Sequence, residues 1–226
     1  MCWLDIWPQL EQPEAVDLHQ LTLVPDVPRG IAALASGFML VPGAARVSGG
    51  IGDALVDVDG AEHERRSAVG LRALTDLGLL GRLLALPLGE LVRWDDLSPD
   101  DARRFTTAPY GTIECSPDGV RRLLCYPVSV PLVLVRSSSW RRGLQRASAF
   151  EPFAQRVLIL EGNHQDLDSL AWEADVLGVG VWVKDASRLR EVVPPAPWQQ
   201  QFAKGAGWRF RERAYLALLN ATRPAG

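Results

Sequence analysis

The chain has 226 residues, of which 47% are hydrophobic and 23% are charged, and its formal net charge is −3. These values are ordinary for a globular protein, and a chain of this length folds without disulfides or a structural metal. The three cysteines, Cys2, Cys115 and Cys125, have no CxxC spacing, which argues against a secreted disulfide framework and against a zinc knuckle. We expect no cofactor.

The sequence also lacks membrane and export signals. No run of 18 apolar residues predicts a membrane span, and the start of the chain lacks the basic and apolar regions of a secretory signal. We therefore expect a cytoplasmic protein with no membrane partner.

Charge is distributed unevenly along the chain. Residues 1–100 contain 7 Lys and Arg against 15 Asp and Glu, whereas residues 101–226 contain 17 against 12. The sequence therefore predicts an acidic N-terminal region with helices over residues 1–109 and a basic α/β domain over residues 110–226. All but two of the 24 basic residues are arginines, which is typical of a GC-rich genome and also suits phosphate binding.

The first region contains a helical pattern. Apolar residues recur at helical spacing from Ala68 to Leu77 and predict a single helix over residues 61–81. Its ending, LGLL at residues 77–80, is similar to helix ends in winged-helix domains, so we expect a winged-helix-like N-terminal half. Ser98, followed by proline and two acids, predicts the start of another helix.

The second region alternates strands and helices, which indicates a mixed α/β fold. The predicted strands cover residues 110–115, 120–126, 130–135, 157–160 and 179–183, and the predicted helices cover residues 140–150, 167–177 and about 207–220. The turn Ser116-Pro117-Asp118-Gly119 separates the first two strands.

This order of elements, over about residues 110–185, resembles the core of the PD-(D/E)XK family, the restriction-endonuclease-like fold. The resemblance implies a mixed sheet flanked by helices, with an acid near the hairpin and an E-x-K motif on the next buried strand. Here Leu134 stands at the implied glutamate position and Arg136 at the lysine position, with Glu114 or Asp118 as the first acid. Because leucine cannot hold a metal ion, the resemblance implies a relative that associates with DNA without cutting it.

A basic and aromatic cluster follows the third predicted strand. Guanidinium groups, hydroxyls and an indole are the groups that contact phosphates and stack on bases. The candidate nucleic-acid-binding residues are Arg121, Arg122, Arg136, Ser138, Trp140, Arg141, Arg142 and Arg146. Alternatively, these arginines cover an exposed face and pair with the acidic first half.

Three functions remain open from the sequence. The first is a non-catalytic DNA-associated protein with a role in regulation, repair or defence. The second is a protein–protein interaction module or a structural homodimer without nucleic acid, which eight tryptophans and the charge asymmetry would suit. The third is a small enzyme at the Glu161–Asp166 loop, where Glu161 and His164 could act as an acid/base pair; otherwise Asn163 or Asp166 caps the following helix.

Overall fold

The computed structural model describes residues 38–162, 166–185, 188–200 and 203–222. The strands are β1 (Met39–Val47), β2 (Gly50–Val58), β3 (Leu91–Arg93), β4 (Ile113–Cys115), β5 (Gly119–Arg122), β6 (Val128–Ser137), β7 (Gln155–Glu161), β8 (Gly180–Asp185) and β9 (Arg188–Val193). The helices are α1 (Gly60–Ala68), α2 (Leu77–Leu83), α3 (Pro99–Thr106), α4 (Trp140–Ser148), α5 (Leu167–Leu177) and α6 (Gly205–Ala221). The mixed α/β class is therefore confirmed.

The larger sheet has six strands in the order β1-β2-β6-β7-β8-β9. The β6–β7 and β7–β8 pairs are parallel and are connected through α4 and α5, whereas the other pairs are antiparallel. Because β2 pairs with β6, this sheet takes strands from both sides of the boundary predicted at residues 109/110. Sequence patterns did not predict β1, β2 or β9.

The hairpin β4–β5 lies in a separate three-stranded sheet, in the order β3-β5-β4. Its turn is confirmed, since the Ser116 amide donates to the Gly119 carbonyl at 2.9 Å. The resemblance implied that this hairpin would precede β6 in the same sheet. Instead Val120 of β5 is buried in a second hydrophobic core, together with Leu124 and Phe105. The hairpin therefore packs in that core and does not pair with β6.

The single helix predicted over residues 61–81 is wrong, because the structure has two helices there. The first ends at Ala68, and Gly70 follows in the left-handed region at a φ of 68°. The second begins after Asp76, whose carboxylate accepts from the Leu79 amide at 3.0 Å. Leu74 lies in the segment that connects the two helices and is buried in the second core. The apolar residues at helical spacing here therefore mark burial in the core and not one continuous helix.

The helix α6 joins the two hydrophobic cores. The main core lies between one face of the six-stranded sheet and the helices α4, α5 and α6, to which α6 contributes Phe210, Tyr215 and Leu218. The second core is built by α2, α3 and the smaller sheet, and Trp208 of α6 is buried in it. In the part of the chain that the structure describes, no helix is long and apolar enough to cross a membrane.

A buried ionic network holds α1 against α6. Arg66 is fully buried and donates to Glu62 at 2.7 Å and to both carboxylate oxygens of Glu212 at 2.8 Å. Glu212 also accepts from the Leu74 amide at 2.8 Å and from the Trp208 indole at 3.0 Å. Burial alone would lower the pKa of Arg66, but the two carboxylates outweigh it and raise that pKa. Arg66 therefore keeps its charge while excluded from water.

Candidate nucleic-acid interface

The helix α4 presents a basic face to solvent. It begins two residues after β6, and its buried side, which includes Leu144 and Ala147, packs on the sheet. Arg141, Arg142 and Arg146 are exposed, and the helix contains no acidic residue. An amphipathic helix places its polar residues opposite the core, so the packing of Leu144 and Ala147 directs the arginines outward.

None of these three arginines forms an ion pair with an acidic side chain in the described ranges. The Arg141 guanidinium instead lies over the ring of half-buried Trp140, with Cζ 4.2 Å from the centroid. For α4, the alternative in which the cluster pairs with the acidic first half finds no support among the described contacts. Three positive charges remain available to an anionic partner.

Serines connect β6 to α4. The Ser139 amide donates to Ser137 Oγ at 3.1 Å, and that hydroxyl donates to the Ser139 carbonyl at 2.8 Å. Ser138 is exposed between them. Ser139 occupies the N-cap position without a side-chain hydrogen bond to the helix. The hydroxyl of Ser138 and the first amides of α4 thus lie beside the arginines.

Arg136 lies apart from the α4 arginines. Successive β6 side chains alternate between faces: Val135 packs in the main core beneath α4, whereas Leu134 packs against the opposite face. Arg136 shares that opposite face and donates from Nε to Asp53 Oδ2 at 2.9 Å. The predicted grouping of Arg136 with the α4 arginines is therefore only sequential, not spatial.

Asp53 was not predicted from the sequence, yet it lies opposite Leu134 in the β2–β6 register. Its side chain is only 16% exposed, and its second carboxylate oxygen, Oδ1, accepts from the Gly43 amide at 2.9 Å. Both oxygens therefore bind protein groups. The sequence signal that could have placed Asp53 on a strand was the Ser48-Gly49 pair. A two-residue turn of this kind between two strands, here of nine residues each, is typical of a hairpin.

Replacing Asp53 with alanine is expected to lower the free energy of unfolding by about 1.5–3 kcal/mol. The change removes the acceptor for the Gly43 amide and the partner of Arg136, and hydrogen bonds to charged groups have about this value. Urea unfolding measures the change. The control is Asp57→Ala on the same strand, which is exposed and should cost less than about 0.5 kcal/mol. Equal losses in the two variants would show that Asp53 has no structural role.

Arg121 and Arg122 lie on β5 in the smaller sheet. Arg121 donates to Glu114 at 2.8 Å, and Arg122 donates to the Leu83 carbonyl at 2.8 Å and lies over the Trp208 ring. Burial lowers the pKa of Arg122. These contacts give both arginines partners within the protein, and none of the described contacts joins them to α4. Glu114 and Asp118 also belong to this sheet and its turn, not to the surroundings of Leu134.

A groove of about 400 Å³ lies between α2 and α3 and is lined partly by Arg82, Arg103 and Arg104. An aspartate pairs with each of these arginines: Asp101 with the first, Asp100 with the second and Asp76 with the third. The neutralised groove is therefore a poorer site for an anion than the surface of α4.

The Glu161–Asp166 loop is described only at its ends. Glu161 closes β7 and is exposed, and Asp166 precedes α5 without a side-chain hydrogen bond to that helix. Asn163 and His164 lie outside the described residues. The acid/base pair predicted there stays a prediction. Elsewhere in the described ranges, no three His, Cys, Asp or Glu side chains gather as a metal site.

Comparison with known proteins gives no family assignment, since no family model, curated protein or solved structure matches the chain. Any functional conclusion therefore depends on the geometry of the chain itself.

Proposed function

We propose that this protein associates with nucleic acid through α4 and does not cleave it. The observation that carries this proposal is the set of three exposed arginines, Arg141, Arg142 and Arg146, which have no acidic partner among the described residues. Arginine pairs bidentately with phosphate oxygens, and Trp140 adds an aromatic group at the same end of the helix. The helix α4 contains these three arginines and no acidic residue, so its exposed face attracts a polyanion.

Two residues support the non-cleaving part of the proposal. Metal-assisted phosphodiester cleavage needs carboxylates that are free to hold a divalent cation. Leu134 has no ligand atom, and the carboxylate of Asp53 beside it is committed to the Gly43 amide and to Arg136. Within a restriction-endonuclease-like fold, this chain would be a binding relative of the nucleases.

The fold supports the same proposal more weakly. The parallel run β6-α4-β7-α5-β8 resembles the helix-flanked part of a restriction-endonuclease-like core, although β1–β2 stands where that resemblance implies the hairpin. The leucines of α2 pack in a small core with α3 and an antiparallel sheet, an arrangement compatible with the winged-helix hypothesis. Four acids at Asp95, Asp96, Asp100 and Asp101 surround the start of α3, so we assign nucleic-acid contact to α4 and not to α3.

Fluorescence anisotropy with labelled single- and double-stranded DNA, at about 50 and 200 mM salt, tests the binding proposal. We expect binding at the lower concentration that weakens steeply at the higher one, because phosphate contacts release counterions. Absence of binding to both forms at the lower salt concentration would overturn the proposal and favour a protein–protein function.

A further inference from the structure

The helix α5 carries exposed apolar side chains on its outer face. Trp172 is 72% exposed and Val176 is 67% exposed, and they lie one helical turn apart. The opposite side of the same helix, with Leu170 and Ala174, is fully buried against the sheet. A solvent-facing tryptophan beside a second apolar residue is typical of a protein contact site, because aromatic side chains dominate binding energy at interfaces.

The charges of α5 and α4 are opposite. The helix α5 contains Asp168, Glu173 and Asp175 and no basic residue, whereas α4 contains three arginines and no acidic residue. Asp168 and Asp175 are exposed on either side of Trp172 along the helix. Both helices connect parallel strands and pack in the same core, so they lie side by side on one face of the sheet. The chain thus displays a basic and an acidic helix on one surface.

We infer that this two-helix surface binds a second copy of the chain. The two-fold axis would lie in the interface between the protomers, parallel to the helices and midway between them. It places α4 of one protomer over α5 of its partner, and α5 of the first over α4 of the partner. Such an isologous contact needs a self-complementary surface, which neighbouring helices of opposite charge provide. The other in-plane two-fold axis would place α4 against α4 and is disfavoured by repulsion between the arginines.

The helical spacing fits this arrangement. Arg142 and Arg146 are separated by one turn, and Asp168 and Asp175 by two turns, so both pairs fall within the overlapping length of the helices. Trp172 lies between the two aspartates, where its ring can pack against the alkyl stems and guanidinium groups of the partner's arginines. Charge pairs then surround an aromatic anchor, as in specific interfaces.

The size of the surface limits the strength of the contact. Helices of nine and eleven residues are about 13 and 16 Å long, and their exposed faces cover less than the roughly 800 Å² per partner of a typical stable complex. We therefore expect a weak dimer that forms with increasing concentration. This inference goes beyond nucleic-acid binding and does not depend on it. Because both use the α4 arginines, DNA and the second copy should compete.

Sedimentation equilibrium over a wide concentration range, without nucleic acid, tests the inference. Reversing the charges in Arg142→Glu with Arg146→Glu, or in Asp168→Arg with Asp175→Arg, should each weaken the wild-type dimer at least about tenfold, because like charges then face each other. Mixing the two variants should restore association. One variant then has two acidic helices and the other has two basic helices, so both contacts of the mixed dimer join opposite charges. Trp172→Ala, at an exposed position that does not contribute to the core, should weaken the dimer without lowering the melting temperature measured at concentrations where the protein is monomeric.

A wild-type protein that stays monomeric at every concentration would overturn the inference. So would charge-reversed variants that dimerise as wild type does, or a mixture of the two that remains monomeric while each variant is folded by circular dichroism. If a charge-reversed variant does not fold, an unchanged dimer in Trp172→Ala overturns the inference instead. The DNA-binding assay on Trp172→Ala separates the two proposals, because that variant keeps all three α4 arginines and the net charge of the surface.

Discussion

Replacing Glu212 with glutamine is expected to lower the free energy of unfolding by about 3–5 kcal/mol, because it breaks a fully buried ion pair with Arg66. The guanidinium would remain in the core with Glu62 as its remaining anionic partner. For a chain of this size, the loss corresponds to a fall in melting temperature of roughly 6–20 °C. Thermal and urea unfolding at neutral pH measure it.

The matched control is Glu114→Gln, which removes an ion pair with Arg121 between side chains that are both about half exposed. Exposed pairs contribute little, so this variant should lose less than about 1 kcal/mol. Equal losses in Glu114→Gln and Glu212→Gln would contradict the structural role of the buried network.

The same network has a pH dependence through Glu62. Burial tends to raise the pKa of this carboxyl, but the hydrogen bonds and charges of Arg65 and Arg66 outweigh it and hold the pKa below the ordinary 4.5. A lowered folded-state pKa contributes stability above pH 4.5 that is lost as the pH falls through the folded value. The stability difference between wild type and Glu62→Gln should therefore narrow below pH 4.5, as urea unfolding across that range would show.

The second large effect is expected from Arg141→Ala combined with Arg142→Ala. Each phosphate contact contributes about 0.9 to the slope of log K against log salt, so losing two contacts should flatten the slope by roughly 1.8. Near 0.1 M salt the affinity for DNA should fall by roughly 10- to 100-fold. Anisotropy titrations at several salt concentrations measure both values.

The control for that variant removes two arginines from another surface. Arg93 and Arg103 are more than two-thirds exposed, and they pair with Asp95 and Asp100 near the smaller sheet and α3. The Arg93→Ala, Arg103→Ala variant changes the net charge equally but should keep the wild-type salt slope. If the Arg141 and Arg142 variant also keeps the wild-type slope, α4 is not the binding surface.

Strong periodicity explains what could be predicted from the sequence. The apolar run at residues 130–135 and the stripe from Trp140 to Phe150 gave β6 and α4 close to their observed bounds, because long segments with one clear period have few alternatives. The helix predicted over residues 167–177 has the observed bounds of α5, and Gly178 ends it in the left-handed region at a φ of 66°. At these positions the local sequence was sufficient to predict about where the strand and the helices begin and end.

Contacts between distant segments explain what could not be predicted. The small residues of β2 give a loop-like composition, yet Gly52 is small because a Cβ there would lie 2.7 Å from Val133 of β6. Likewise, no local pattern shows that Val120 is buried against α2 and α3 and not beside β6. Strand pairing is a non-local property, and turn residues fix only the hairpin itself.

The candidate site was predicted in part for the same reason. Arg142 and Arg146 are four residues apart on one helix, so helical spacing alone places them on the same face of α4, and Trp140 and Arg141 lie in its first turn. The alternation of β6 turns Arg136 to the other face, and its partner Asp53 lies 83 residues earlier in the chain. Arg136 was therefore grouped with the α4 arginines because it is close to them in the sequence, although it lies on the opposite face of the sheet.

Binding to DNA and the integrity of that DNA can be measured in one sample. End-labelled DNA is saturated with the protein in low salt with magnesium present, its binding is read by anisotropy, and the same sample is then run on a denaturing gel. Bound, full-length DNA is the result that we predict. Unbound DNA would contradict the role of the α4 arginines, and cleaved DNA would contradict the interpretation of Leu134, Asp53 and Arg136 as a site without a metal-binding pair of carboxylates.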